Sequence, residues 1–410
     1  MSTSIKYKFL WILSVLALSL EVFRQLSSYS ILFRGYIYVL MWLACCVLLC
    51  RNLLLKINYL PFLLFFFFSI LYILRGGDYQ NLKSTSELIS ILSGYLIIPL
   101  LFLFYNKYCS NKQKIWCVGL MFVAVLYMTI CTTPIALLQP GLIRETASND
   151  DLAVQLQNLG VMSYALPHCI IFILPSLCFG LKYCKQKSIK LLCLFFVVVT
   201  FFMIYLSEAT MPLVIAAIAV IISLIYNVKK NVKTNVIRIV LLLFLLLPLA
   251  SDSLVLGLID YLEPVYAGTE YDPKVKELKM TIEMKELSGS DAEERQSLMS
   301  KSLSCFTNNP IGGTTNSKSL GGHNYLIDML ASLGLLGFIP LLFHLLYISK
   351  VLYMEMSDYT RIPFLIGIGS FFLMIMLKNM WGGAIFSVYA FFYCPCLLKI
   401  LESKSIFNVK

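Results

Sequence analysis

Three residues have the type and setting to do chemistry at a surface. His323 follows Gly321 and Gly322 and precedes Asn324, where an apolar helix is expected to begin. An imidazole titrates near neutral pH, and a helix N-terminus favours its neutral form, which suits a base. Capping of that helix, beside Asn324, is the simpler use of the same residue. Arg295 is the one arginine in a hydrophilic stretch, 251–323, that also holds six lysines and 11 of the chain's 22 acidic residues. A guanidinium matches phosphate or carboxylate oxygens in paired bonds; surface pairing with Glu294 or Asp291 is the plain alternative. Glu208, in Ser207-Glu208-Ala209-Thr210 between two apolar stretches, is a second candidate base.

A further group offers binding rather than reaction. Asn324, Asp328 and Ser332 recur every four residues, on one face of a helix. That spacing fits either substrate contact or a polar stripe against a neighbouring helix. Arg144 lies in the loop 139–160, sixteen residues before Gly160, and Lys378 lies between two late apolar stretches. Asp150-Asp151 reads as a solvated pair, and Cys394 with Cys396 as packing, since no histidine is near them. No metal or cofactor is expected, and nothing resembles a nucleotide-binding loop.

The elements that position these residues are membrane helices. Hydrophobic residues make up 59% of the 410 and charged residues only 13%, with a mean hydropathy of +0.81. A soluble chain carries about twice that charged fraction. The pattern predicts an all-α, polytopic membrane domain, 1–410, with about twelve spans of roughly 20 residues each. They fall near 8–26, 31–50, 57–75, 87–106, 115–138, 160–181, 191–206, 212–226, 237–256, 324–349, 362–378 and 382–400. Span 191–206 is short and its break before 212 is tight. Lys6 and Lys8 before an apolar run resemble a signal peptide, but Glu21 and Arg24 stand where a cleavage site would, so an uncleaved first span is expected.

Lysine and arginine recur in alternate short loops, including Arg51, Lys107, Lys114, Lys182, Lys185, Lys229, Arg238, Arg361 and Lys404. By the positive-inside rule those loops and both termini are cytoplasmic. The net charge of +11 is then a topology signal and implies no nucleic acid. The stretch 251–323 becomes a large, partly helical extracytoplasmic loop. Asp272-Pro273 can open one helix, with Val275, Leu278 and Ile282 on a face. Ser290-Asp-Ala-Glu293 can open a second, with Arg295, Met299, Ser302 and Phe306 on one stripe, ended by Asn308-Asn309-Pro310. Only Cys305 of the 13 cysteines lies in the loop, so it has no internal disulfide.

Under this topology Glu21, Arg24, Arg34, Arg75, Glu87, Arg144, Glu208, Arg295, Asp328 and Lys378 all fall at the outer side. Outward arginines at that depth fit an anionic ligand such as a lipid diphosphate; snorkelling to headgroups is the alternative. Transporters place polar residues near the midplane. Here only His168, in Ala165-Leu-Pro-His168, is central, where a bond to a carbonyl freed by Pro167 accounts for it. His344 lies toward the cytoplasmic end and reads as structural.

The run Gly321-Gly-His-Asn-Tyr-Leu-Ile-Asp-Met-Leu-Ala-Ser-Leu-Gly334-Leu-Leu-Gly337 resembles the signature of the O-antigen polymerase and O-antigen ligase superfamily. There His-Asn opens an outer-face helix and a Gly-Leu-Leu-Gly step follows about eleven residues later. Upstream, Glu294-Arg295, Phe306 and Asn309-Pro310-Ile311-Gly312 are similar to the family's approach to that helix. The match covers about 50 residues; elsewhere it is one of topology. Two positions depart: Ser332 stands where the family often has an acid, and Glu208 where many relatives have an arginine after serine.

The resemblance implies polymerisation of O-antigen or capsular repeats, by transfer of a glycan from undecaprenyl diphosphate to a sugar hydroxyl of another lipid-linked repeat, at the outer face of the inner membrane. Arg295 would then hold the leaving diphosphate, with Arg144 as a second cation, and His323 or Glu208 would take the acceptor's proton. Asn324, Asp328 and Lys378 would bind substrate. Membrane lipid and a chain-length regulator are the expected partners. A ligase using a lipid A–core acceptor, and a polysaccharide flippase, are the alternatives.

Overall fold

The computed structural model describes residues 3–22, 35–55, 57–74, 93–139, 141–146, 150–227, 291–316, 319–322, 324–377 and 384–407, with isolated positions between 260 and 279. Among these the chain is all-helical, with no strand. The main helices are α1 (Thr3–Val22), α2 (Gly35–Leu49), α3 (Leu60–Leu74), α4 (Ile98–Tyr108, entered through a π-turn at Ser93–Ile97), α5 (Asn111–Leu138) and α6 (Ala165–Tyr183). They continue with α7 (Lys187–Leu206), α8 (Thr210–Ile225), α9 (Asp291–Asn308), α10 (Tyr325–Glu355), α11 (Arg361–Leu377) and α12 (Ile385–Ser403). Helices lie over every expected span except 237–256, which is outside the described residues.

Five of them, α5, α6, α7, α10 and α12, are long and apolar enough to cross a membrane, and α3 and α11 are shorter apolar helices. Their outer faces carry large apolar side chains, such as Ile130 at 70% exposure and Leu191 at 68%. Faces of that kind are not sustained in water and are covered by lipid. The protein is a membrane protein.

Several helices extend beyond their expected ends, α7 and α10 most tellingly. α7 runs from Lys187, not 191, and is 20 residues long. Lys187 and Lys190 lower the local hydropathy, but their stems can lie along the helix while the ammonium groups reach water. α10 runs to Glu355, so His344 sits eleven residues inside it and not at its end. His344 is fully buried; its Nε2 donates to the Tyr95 carbonyl at 2.8 Å, and its ring packs on Phe62 at 4.9 Å. Tyr95 lies in the π-turn of α4, a geometry that takes carbonyls out of regular register. His168 also bonds a carbonyl, that of Tyr164 at 2.8 Å. That is not the carbonyl Pro167 would free. Pro167 sits in the first turn of α6, where a missing N–H costs little, and the Ser163 carbonyl is taken by the Leu166 amide.

Packing fixes the direction of each helix. Asn58, just before α3, donates to the Tyr347 hydroxyl of α10 at 3.2 Å, while Phe68 further along α3 faces Gly337. The two are antiparallel. Lys6 of α1 reaches the Leu49 carbonyl at the end of α2, and Tyr7 stacks on Tyr108 at the end of α4 at 4.4 Å. Asn106 donates to Glu355 at 2.7 Å, joining the ends of α4 and α10. The Ile406 amide bonds the Tyr183 carbonyl and the Lys185 amide bonds the Lys404 carbonyl, joining the ends of α6 and α12. Tyr359 stacks on Phe407 at 4.2 Å. One end of the bundle thus collects Lys6, Lys107, Lys114, Lys182, Lys185, Arg361 and Lys404. These are the residues whose alternation along the sequence set the expected topology.

Candidate functional site

The opposite end is built around α9 and the first third of α10. α9 opens at Asp291 and stops at Asn308, where Asn309-Pro310 cannot continue it. The inward side carries Ser302, fully buried, with Leu298, Cys305 and Phe306 partly covered. Met299, expected on the inner stripe, is 39% exposed. The inner face is turned toward Leu298 and Cys305 because Gly321 packs directly on the α9 backbone. A Cβ on Gly321 would lie 2.1 Å from the Leu298 carbonyl oxygen.

α10 is broken where the sequence reads Gly334-Leu-Leu-Gly337. Gly334 has φ 61° and ψ −170°, a region essentially restricted to glycine. A break exposes backbone groups that need partners in an apolar setting. The chain after α9 supplies them. The Pro310 carbonyl accepts from the Leu335 amide at 2.8 Å, and the Ile311 carbonyl from the Leu336 amide at 3.2 Å. On the near side of the break, the Thr314 amide donates to the Ala331 carbonyl at 2.9 Å. Gly313, at φ 69°, passes so close that a Cβ would be 2.1 Å from the Ser332 carbonyl oxygen. The stretches Asn309–Gly313 and Gly334–Gly337 are therefore two halves of one backbone junction. Gly337 serves a third approach: a Cβ there would meet Phe68 of α3 at 3.3 Å.

The start of α10 is held by side chains. Asn324 is the N-cap in extended conformation, but its side chain makes no capping bond. The N-cap amide is instead bonded by Asp328, whose Oδ2 accepts from it at 3.1 Å. Asp328 is 1% exposed. Its Oδ1 accepts from the Ser302 hydroxyl at 2.6 Å, and Ser302 Oγ in turn accepts from the Gly321 amide at 2.8 Å. A buried carboxylate is tolerable here because it lies at a helix N-terminus and accepts several bonds. Ser332 turns back to the Asp328 carbonyl at 2.6 Å. The Asn324, Asp328 and Ser332 stripe is thus buried against α9 and the turn before α10.

Glu208 forms the tight turn between α7 and α8, at the same end. It has φ 52°, the only non-glycine residue in the left-handed region among those described. Such a conformation costs about 1–2 kcal/mol for an L-residue. Arg144 is partly buried in a single helical turn, Leu142–Glu145, entered through Gly141 at φ 82°. α5 and α7 both run from the basic end, so Arg144 and Glu208 share the far end with Asn324 and Asp328.

Arg295 lies in α9, seven residues or about two turns before Ser302, on the same side of the helix by register; its side chain is outside the described residues. So are His323, Lys378, Arg24, Arg34, Arg75, Glu87 and the side chain of Glu21. The expected helix with Val275, Leu278 and Ile282 is outside them too. Its neighbourhood includes Lys279, which pairs with Asp260 at 2.8 Å and Glu263 at 2.7 Å. Bonds to those two carboxylates hold its ammonium pKa above the usual lysine range. No three His, Cys, Asp or Glu side chains among the described residues converge to hold a metal ion. Residue types alone do not reveal Ser302 as the partner of Asp328, or Gly313 and Gly321 as close-approach positions. Glycines recurring at 312, 313, 321 and 322 are the available signal. No protein-family model matches the chain, and no curated protein matches it.

Proposed function

We propose that this chain polymerises lipid-linked glycan repeats, taking a growing glycan from undecaprenyl diphosphate and adding it to the sugar hydroxyl of the next repeat. The reading places about twelve spans in the inner membrane with both termini cytoplasmic, so that α9 and the start of α10 face the periplasm. The acceptor oxygen attacks the anomeric carbon as the bond to the diphosphate oxygen breaks. The electron pair leaves on the diphosphate, where Arg295, with Arg144 and Lys378 in the same layer of the topology, neutralises it. The proton passes to His323, or to Glu208 if that carboxylate is the closer base. Cleavage of the diphosphate ester itself supplies the free energy, and a chain-length regulator is the expected protein partner.

One observation carries this reading. The helix bearing Arg295, the Asn-Pro-Ile-Gly-Gly turn, and the helix that follows His323-Asn324 form a single docked unit at the end of the bundle opposite its basic residues. A flippase needs polar groups through the midplane; the midplane histidines here are spent on backbone carbonyls.

Deleting the gene and restoring variants tests it. Loss of the chain should leave single repeats on the lipid A core. His323→Ala and Arg295→Ala should each fail to restore polymer while the protein reaches the membrane in normal amount. Lipid-linked polymer with none on the core would indicate the ligase activity instead. Cysteine placed at Lys285 should react with a membrane-impermeant maleimide from outside; reaction only from the cytosol removes the proposal.

A further inference from the structure

Asp328 has no free face. Both of its carboxylate oxygens are committed within the protein, one to Ser302 on α9 and one to the Asn324 amide. Ser302, also fully buried, carries the same connection on to the Gly321 amide. Gly321 and Asn324 flank Gly322-His323 in the chain, so both sides of that dipeptide are tied to one carboxylate. Gly321 is further fixed by its approach to the Leu298 carbonyl, which leaves no room for a side chain. On the other flank, the 310–314 junction locks α9 to the broken helix. Such a frame holds Gly321 and Asn324 on either side of the dipeptide, and a displacement of about 1 Å in a reacting group can cost about 100-fold in rate.

Resting on the reading of His323 as the base, we infer that Asp328 and Ser302 form a positioning clamp on the backbone at Gly321 and Asn324: they act on transfer through that turn and do not touch the glycan. Asp328 is thus a positioning residue, and its effect on transfer runs through the 321–324 turn. Ser302, which the sequence offers as one more small polar residue of an amphipathic helix, becomes a determinant of turnover.

The test uses the full chain in proteoliposomes with an undecaprenyl-diphosphate-linked repeat as donor and acceptor. Ser302→Ala should lower kcat about tenfold, with KM within about twofold of the parent, since only placement is lost. Ser302→Thr keeps the hydroxyl and should recover most of the turnover. Asp328→Asn should lower kcat by about 100-fold. The double variant should be no worse than Asp328→Asn alone, because both changes break one network. If Asp328→Asn fails to insert, the Ser302 pair decides. A raised KM at unchanged kcat in either variant would mean glycan contact and would overturn the clamp. Full turnover by Ser302→Ala and Asp328→Asn beside an inactive His323→Ala overturns the clamp alone. Full turnover by His323→Ala overturns the clamp and the base assignment together.

Discussion

The two ends of the bundle solve the same problem, turning a chain between helices, in different ways. At the basic end the described turns use ordinary backbone conformations and the charges finish helices: Lys6 on the Leu49 carbonyl, Lys182 on the carbonyls of Ser223, Leu224 and Tyr226. At the other end lies every left-handed residue among those described: Gly141, Gly160, Glu208, Gly313, Gly322 and Gly334. A chain that needed only to reverse direction could use relaxed turns at both ends. Five of the six are glycines, which adopt such angles at little cost, so the strain itself rests on Glu208, and a strained non-glycine residue is a reason to look for function at that end. It is the side where Arg144, Glu208, Asn324 and Asp328 lie.

The largest expected break in that asymmetry is at Gly334. Gly334→Ala puts a Cβ 2.3 Å from the Ile311 carbonyl oxygen, at backbone angles an alanine adopts only at a cost of about 1–3 kcal/mol. The junction between α9 and α10 must open, leaving the Leu335 and Leu336 amides without acceptors. Polymer should be lost, and limited proteolysis of membranes should cut between 309 and 322. Gly119 is the control, because a Cβ there meets nothing within 4 Å. Polymer at the normal level in Gly334→Ala would show that the docked unit is not needed.

Much of this is legible in the sequence, and the reasons are uneven. Helix positions follow from apolar runs, because in lipid the backbone has few options besides a helix. The grouping of helix ends follows from alternate lysines, since Lys6, Lys182 and Lys404 gather at one end of the bundle. Helix α9 is readable because Ser290-Asp-Ala-Glu293 and Asn308-Asn309-Pro310 mark its limits locally. What joins the elements is not readable. Gly313 on Ser332, Gly321 on Leu298 and Ser302 on Asp328 are pairings between residues far apart in the chain, and no periodicity encodes them. Glu208 stands out for its carboxylate, but its left-handed backbone depends on the angle at which α7 and α8 pack. The expected stripe on α9 lies too far round for the same reason: Met299 and Leu298 are both apolar, and tertiary contact chooses between them.

Glu208 gives a smaller and sharper test of the same asymmetry. Glu208→Gly removes the left-handed penalty and should raise thermal stability in detergent, by about 1 kcal/mol at the midpoint. If the strain is held to present a carboxylate, the same variant should make polymer about tenfold more slowly, as should Glu208→Gln without the gain in stability. A Glu208→Gly variant that is both more stable and fully active would reduce Glu208 to a turn residue and leave His323 as the remaining base.

The smallest effect belongs to the relaxed end. Lys182→Met keeps an unbranched apolar stem but removes the ammonium from the three carbonyls that end α8. A cation at a helix C-terminus contributes about 0.3–1 kcal/mol, and up to about 2 where partly buried. The midpoint of unfolding should drop by that amount, while polymer length and yield stay at the parent level, because the residue lies at the end of the bundle opposite α9. Should Lys182→Met shorten the polymer at unchanged protein level, the two ends would be coupled, and the division into a structural end and a reactive one would be wrong.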